Sequence, residues 1–190
     1  LDALSTLPVS TLRRLQALCD AGGAVAAQAA LAQLALAAGL YAGPVAGDKT
    51  VPDMGFYDPM KGVIPASDGN VLVTFYRSYL TAADTAPIDA LIHALREAGF
   101  TTYGAFAPSL KAPGVADWLR AHITSNPPVA IINATAFSAQ GEDGTTPFDT
   151  ATCPAFQVAL STARRRDWAA SDRGLSPADL AMHVVLPEVD

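Results

Sequence analysis

The chain has 190 residues and a formal net charge of -6, enough length for one substantial core and the wrong sign of charge for a nucleic-acid face. Its hydrophobic fraction is 51%, much of it alanine, and the longest weakly polar run, residues 24–38, is broken by Gln28 and Gln33, so no membrane span is expected. Cys19 and Cys153 form no CxxC pair and fall in different predicted elements, which argues against a disulfide framework or a zinc knuckle and fits a reducing cytoplasm.

In chain order, Ser10 is placed to cap a helix over residues 11–20, with Leu12, Leu15 and Leu18 on its apolar side and Gly22-Gly23 at its end. A second helix over residues 24–38 carries Leu31, Leu34 and Ala38 and stops at Gly39. Together they read as a helical pair, residues 1–40. Residues 41–69 are rich in Pro, Gly and Asp and read as an extended connector, with Gly55-Phe56-Tyr57-Asp58-Pro59 as its aromatic anchor.

An α/β domain is expected over residues 70–190. Val71–Tyr76 is an uncharged β-branched and aromatic run, the pattern of a parallel strand covered on both faces. Ile88, Leu91, Ile92, Leu95 and Ala98 then recur at helical spacing, with Asp84 or Thr85 as cap, Pro87 in the first turn and Gly99 as the stop. A strand over 101–107, a helix through Val115, Trp118, Leu119, His122 and Ile123, and a strand over 129–132 follow. After a polar loop over 138–152 come a fourth strand over 155–160, a short helix over 164–170 and helical turns from Ser176-Pro177 to Met182. Val184, Val185 and Leu186 start a fifth strand or a link onward. The alternation predicts a doubly wound, mostly parallel sheet of 4-5 strands with an N-terminal helical pair.

In such a sheet, ligands bind outside the carboxyl ends of the strands. This brings Arg77, Ser78, Asp84 and Thr85, after the first strand, toward Asn133, Thr135 and Phe137, after the third. A guanidinium, helix-terminal amides and short polar side chains suit the carboxylates or amides of a ligand; taken singly, the same residues read as caps and turn formers. Arg164-Arg165-Arg166, Trp168 and Arg173 form the basic cluster that carries an aromatic, a solvated face or a surface for a flat anionic ring system. There is no G-x-S-x-G elbow, G-x-G-x-x-G loop or P-loop. No metal-ligand spacing stands out: His93 between Asp89 and Glu97 reads as a solvated face and His122 as a core-border residue.

Several segments together carry a family resemblance: RSYLTAADTAPIDALIHALREAGF, SLKAPGVADWLR, IINATAF, CPAFQV and WAASDRGLSPADLAMHVVLPEVD. From about Gly55 to Asp190 they resemble the large, tetrapyrrole-binding subunits of the cobaltochelatase and magnesium chelatase family. Thr85-Ala86-Pro87-Ile88-Asp89 is similar to the cobalt type, while Asp58 and Met60 depart from the family around the connector proline.

The resemblance implies a fragment of a much longer subunit. That subunit would bind the corrinoid precursor hydrogenobyrinic acid a,c-diamide and receive Co2+ as substrate in aerobic cobalamin biosynthesis. ATP would be hydrolysed by separate ATPase-type chelatase subunits, with no cofactor in the fragment itself. Expected partners are the corrinoid, the remaining domains of the same subunit and those ATPase subunits. Arg77, Ser78, Asp84, Thr85, Asn133, Thr135, Phe137 and Arg173 would contact substrate, and Glu188 of the LPEVD end is the candidate acid/base group. The alternatives are a magnesium chelatase fragment, a non-catalytic scaffold, or a small-ligand binding module.

Overall fold

Glycine and proline decide how the first elements meet. The computed structural model describes residues 5–65, 67 and 69–185. The chain divides into two compact units: one holds the residues up to Pro52 together with Ser78–Thr85, the other Asp53–Arg77 and the residues from Ala86 onward.

In the first unit, α1 (Val9–Ala21) and α2 (Ala24–Ala37) form the expected pair. Ser10 does not cap α1. Pro8 is the N-cap, and its carbonyl already accepts from the amides of Thr11 and Leu12, so Ser10 lies inside the first turn. Between the helices, Gly22 has φ +67°, and a Cβ there would stand 2.8 Å from the Thr81 carbonyl oxygen. The Gly23 amide donates to that same oxygen at 2.6 Å, which ties the short helix α3 (Ser78–Thr81) to the pair.

The second unit is a six-stranded sheet made of β1 (Gly55–Asp58), β2 (Gly62–Ile64), β3 (Val71–Tyr76), β4 (Thr102–Ala107), β5 (Ala130–Asn133) and β6 (Ala155–Gln157). The order is β2-β1-β4-β3-β5-β6. The pairs β4–β3, β3–β5 and β5–β6 are parallel, while β1 runs antiparallel to both β2 and β4. The four parallel strands are those expected from the alternation. The hairpin β1–β2 is new: residues 41–69 are not all connector, because the sheet claims Gly55–Asp58 and Gly62–Ile64. Strands of four and three residues leave too little alternation to read, and β1 is held by a partner some fifty positions later in the chain. Asp58 is what turns the hairpin. Its Oδ1 accepts from the amides of Met60 (2.8 Å) and Lys61 (3.0 Å), and its Oδ2 receives the Arg96 guanidinium at 2.7 Å. Burial pushes this carboxyl up, but the guanidinium and the two amides outweigh it and hold the group below its ordinary range.

Helices α4 (Ala86–Glu97) and α5 (Val115–Ser125) cover opposite faces of the sheet. Consecutive residues of β1 show this: Phe56 meets Trp118 and His122 of α5, whereas the Tyr57 hydroxyl donates to Asp89 of α4 at 2.8 Å. On the α5 side, Leu72, Tyr103, Ala105 and Ile131 pack with Val115, Leu119 and Ile123. On the α4 side, Phe75 is wedged against Tyr57 and Phe106. Gly104 of β4 makes room for it, since a Cβ there would lie 2.7 Å from the Phe75 ring. Doubly wound architecture follows from this two-sided burial.

Beyond β6, which ends at Gln157 rather than residue 160, come α6 (Arg165–Ala169) and α7 (Pro177–Leu180). Ser176 and Asp179 cap α7 reciprocally. Val184 and Val185 are not strand residues; they belong to a π-helical turn, Ala181–Val185. Asp179 prevents extension here by anchoring the preceding loop: its carboxylate also accepts from the Thr162 amide at 2.7 Å and from the hydroxyls of Ser161 and Thr162, and these bonds hold its pKa far down. Leu186 and the LPEVD carboxylates, Glu188 included, lie outside the described residues.

The core yields two expected outcomes. Gly104→Ala should cost about 1–3 kcal/mol, since Phe75 has no solvent side to retreat to; an unchanged urea midpoint would reject that packing. The second concerns His122, which is bonded at 2.6 Å to the Tyr103 hydroxyl. Burial lowers its pKa below 6.5 and pushes the Tyr103 phenol up to about 12. The unfolded chain then binds more protons than the folded one as pH falls through 6.5. Stability should drop across that window in the native chain and stay flatter in His122→Gln, as measured by urea unfolding at a series of pH values.

Candidate functional site

The chain passes from β3 out to β4 and then back across β3 to β5 and β6, so the winding reverses between β3 and β5. Outside the carboxyl ends of these two strands an open α/β sheet offers its ligand crevice. Residues 134–137, directly after β5, occupy this place.

Three neighbouring strands fix that loop. The Ala134 amide donates to the Thr74 carbonyl of β3 at 2.8 Å. The Tyr76 hydroxyl, at the end of β3, accepts from the amides of Ala136 (3.1 Å) and Phe137 (2.9 Å). Asn133 is the hub: its Oδ1 accepts from Thr74 Oγ1 at 2.7 Å, Thr135 Oγ1 at 2.9 Å and the Thr135 amide at 3.3 Å. Its Nδ2 donates to Gln157 Oε1 of β6 at 2.8 Å, and Gln157 Nε2 donates on to the Thr135 carbonyl at 2.6 Å. Thr74 and Thr135 are buried, so these bonds replace water outright.

Against this loop lies a cavity of about 300 Å³ whose wall includes Asn133, Phe137, Ser138, Phe148, Gln157 and His183. The polar loop 138–152 folds back to supply Phe148, which also packs on the core. Arg120 of α5 tethers that loop, donating to Thr145 Oγ1 at 2.8 Å. His183 sits on the π-helical turn and is bonded to the Leu160 carbonyl at 2.8 Å.

The expected residues are thus distributed unevenly. Asn133, Thr135 and Phe137 come together as one structure. Arg77 continues the β3–β4 pairing through its amide, which donates to Ala107 O at 2.8 Å, and its guanidinium stands 3.8 Å from Asp53. Ser78, Asp84 and Thr85 belong to the helical unit. Arg173 is exposed in the turn between α6 and α7 and does not line the cavity. Among the described residues, no group of three His, Cys, Asp or Glu side chains is arranged to hold a metal ion, and no helix is long and apolar enough to cross a membrane. Tyr76 and Gln157 are the partners of the loop that the sequence did not single out. Tyr76 had one local sign, a polar atom at the last position of an otherwise apolar strand; Gln157, inside the strand expected over 155–160, had none.

Asn133→Ala should strand the Thr74 hydroxyl and loosen residues 134–137. The expected loss of stability is on the order of 1–3 kcal/mol, read by urea unfolding, with Thr135→Val smaller because it removes one bond of the set. Equal stability of Asn133→Ala and the native chain would mean that Thr74 has another acceptor.

The model of the family described as CobN/Magnesium Chelatase matches residues 17–190. The aerobic cobaltochelatase subunit CobN of Sinorhizobium sp is 37% identical over 121 residues, covering 62% of this chain and 10% of that protein. The protein of the same name from Pseudomonas aeruginosa is 34% identical over 126 residues, with 63% and 10% covered. A magnesium-chelatase subunit of Rhodobacter capsulatus is 30% identical over 159 residues, with 73% and 13% covered. The chain therefore spans about a tenth of the length of the curated relatives it matches. In fold, it is similar to the catalytic subunit of cobaltochelatase from Mycobacterium tuberculosis, with a TM-score of 0.66 at 24% identity over 98% of this chain and 16% of that one. With its doubly wound sheet and a family match over residues 17–190, the chain belongs to the CobN/magnesium chelatase family.

Proposed function

We propose that this chain is part of a large subunit of an aerobic, ATP-dependent cobaltochelatase and contributes to holding its corrinoid substrate, hydrogenobyrinic acid a,c-diamide. The observation that carries the cobalt reading is the 37% and 34% identity to two aerobic cobaltochelatase subunits, against 30% to the magnesium relative. In this reading Co2+ is a substrate, ATP is hydrolysed on separate subunits, and the reaction takes place in the cytoplasm. Chelation needs the macrocycle held, its inner N–H deprotonated and the metal ion stripped of water. The described residues suit the first of these tasks. The loop after β5 is rigid, because every strand around it donates or accepts a bond there, and a rigid mouth holds a ligand at little entropic cost.

Of the sheet unit, Arg77 and Arg173 enter as contacts to the carboxylates and amides around the macrocycle, and Glu188 as the group that takes up protons. Asn133 and Thr135 act differently from the sequence expectation. Their side chains are spent on organising the loop, so they position Phe137 and the cavity wall rather than orient substrate through all their polar atoms.

Titrating the protein with hydrogenobyrinic acid a,c-diamide, followed by corrinoid absorbance and by quenching of Trp118 and Trp168, tests the proposal. Saturable binding, weakened in Arg77→Ala, is the expected result. No change in either signal up to millimolar corrinoid would leave the domain as a scaffold within the subunit.

A further inference from the structure

The cavity beside β5 and β6 has an unusual balance of groups for a region expected to meet carboxylates. Among the described residues, no Asp, Glu, Lys or Arg lines it. Its polar atoms are neutral and partly unspent. Asn133 Nδ2 gives one hydrogen to Gln157 Oε1, and Gln157 Nε2 gives one to the Thr135 carbonyl, which leaves each amide a second N–H. Ser138 Oγ accepts from the Gln140 amide at 3.1 Å, so its own hydrogen is available to donate. His183 supplies the complementary atom. A carbonyl oxygen only accepts, so the 2.8 Å bond to Leu160 O puts the imidazole hydrogen on Nε2 and leaves Nδ1 as the acceptor. Among the described residues Nδ1 has no hydrogen-bond partner. The π-helical turn that carries His183 is a geometry that recurs at functional sites. Phe137, Phe148 and Phe156 make the remaining wall apolar.

We infer that this cavity binds the primary carboxamide at the tip of a ligand arm and selects it over the corresponding carboxylate. The arm's carbonyl oxygen accepts from the spare N–H groups of Asn133 and Gln157, its NH2 donates to His183 Nδ1, and its methylenes lie against the phenylalanines. A carboxylate in the same place loses its hydration without gaining a cation, and turns one oxygen toward a lone pair. A volume of about 300 Å³ admits an arm and leaves a four-ring macrocycle outside. That the arm belongs to a corrinoid rests on the proposed function; the preference for an amide rests on the cavity alone.

The probes are propionamide and propionate, added to the protein at pH 8, with the 15N side-chain resonances of Asn133 and Gln157 as the readout. Propionamide should shift both saturably, and propionate should bind at least about tenfold more weakly for want of a counter-charge. Ala159→Leu fills the cavity from an exposed wall position without touching the hydrogen bonds, and should abolish the response. Equal response to the two probes, tighter binding of propionate, or a response that survives Ala159→Leu overturns the inference. Hydrogenobyrinic acid a,c-diamide and the non-amidated acid then separate the two claims. If propionamide binds and neither corrinoid does, the corrinoid reading fails and the cavity assignment stands. If the diamide binds Ala159→Leu as tightly as the native chain, the cavity assignment fails and the corrinoid reading stands.

Discussion

The central strand β3 pairs in parallel with β4 on one side and β5 on the other, with Thr74 opposite Ala105 and Asn133. Everything positioned in the sheet unit inherits that register. Parallel neighbours force each connection to cross over a face, so α4 and α5 must cover the sheet from opposite sides, and both faces of β3 become interior. Burial then selects the residues: Val71, Val73 and Phe75 serve one face, and Leu72 and Thr74 the other, all nearly inaccessible. A shift of one residue would exchange those faces, put Thr74 beneath α4 and remove the acceptor it finds on Asn133.

The same register brings the polar ends of three strands side by side. Thr74, Asn133 and Gln157 sit on β3, β5 and β6, and their side chains form a continuous chain of hydrogen bonds at the level where the sheet stops being apolar. A network of this kind is costly when incomplete and rigid when complete. Here it is complete apart from one amide hydrogen each on Asn133 and Gln157, both of which line the cavity. Rigidity of the loop and the chemistry of the cavity thus have one source. The amides that hold residues 134–137 in place are the groups that remain to recognise a ligand.

Hydrophobic periodicity made most of the sheet unit readable. The run Val71–Tyr76, the helical stripe of Ile88 and Ile92, the stripe of Val115, Leu119 and Ile123, and the strand ending at Asn133 all form as the pattern predicts. The hairpin β1–β2 escaped because its strands are short and its principal partner, β4, is distant in sequence. The π-helical turn escaped because Val184-Val185 has the composition of a strand, while what decides its shape is the Asp179 cage in the segment before it. In the site, Asn133, Thr135 and Phe137 stood out as polar and aromatic residues after a buried strand. Gln157 did not, since its significance comes from lying beside β5, a fact of strand order and not of local pattern.

The amino-acid sequence by itself determined the four parallel strands and the principal helices, the α/β class, and the family, because these depend on local periodicity and on motif residues that are contiguous in the chain. Tertiary structure alone decided that the β1–β2 hairpin extends the sheet beside β4, that Ser78–Thr85 belongs to the helical unit, and that Asn133 gives its Oδ1 and one N–H to its neighbours. It also decided that His183, Gln157 and Ser138 share a cavity that no charged side chain lines among the described residues. Those outcomes hang on which distant groups satisfy one another's hydrogen bonds, and that competition is settled only when the strands take their order.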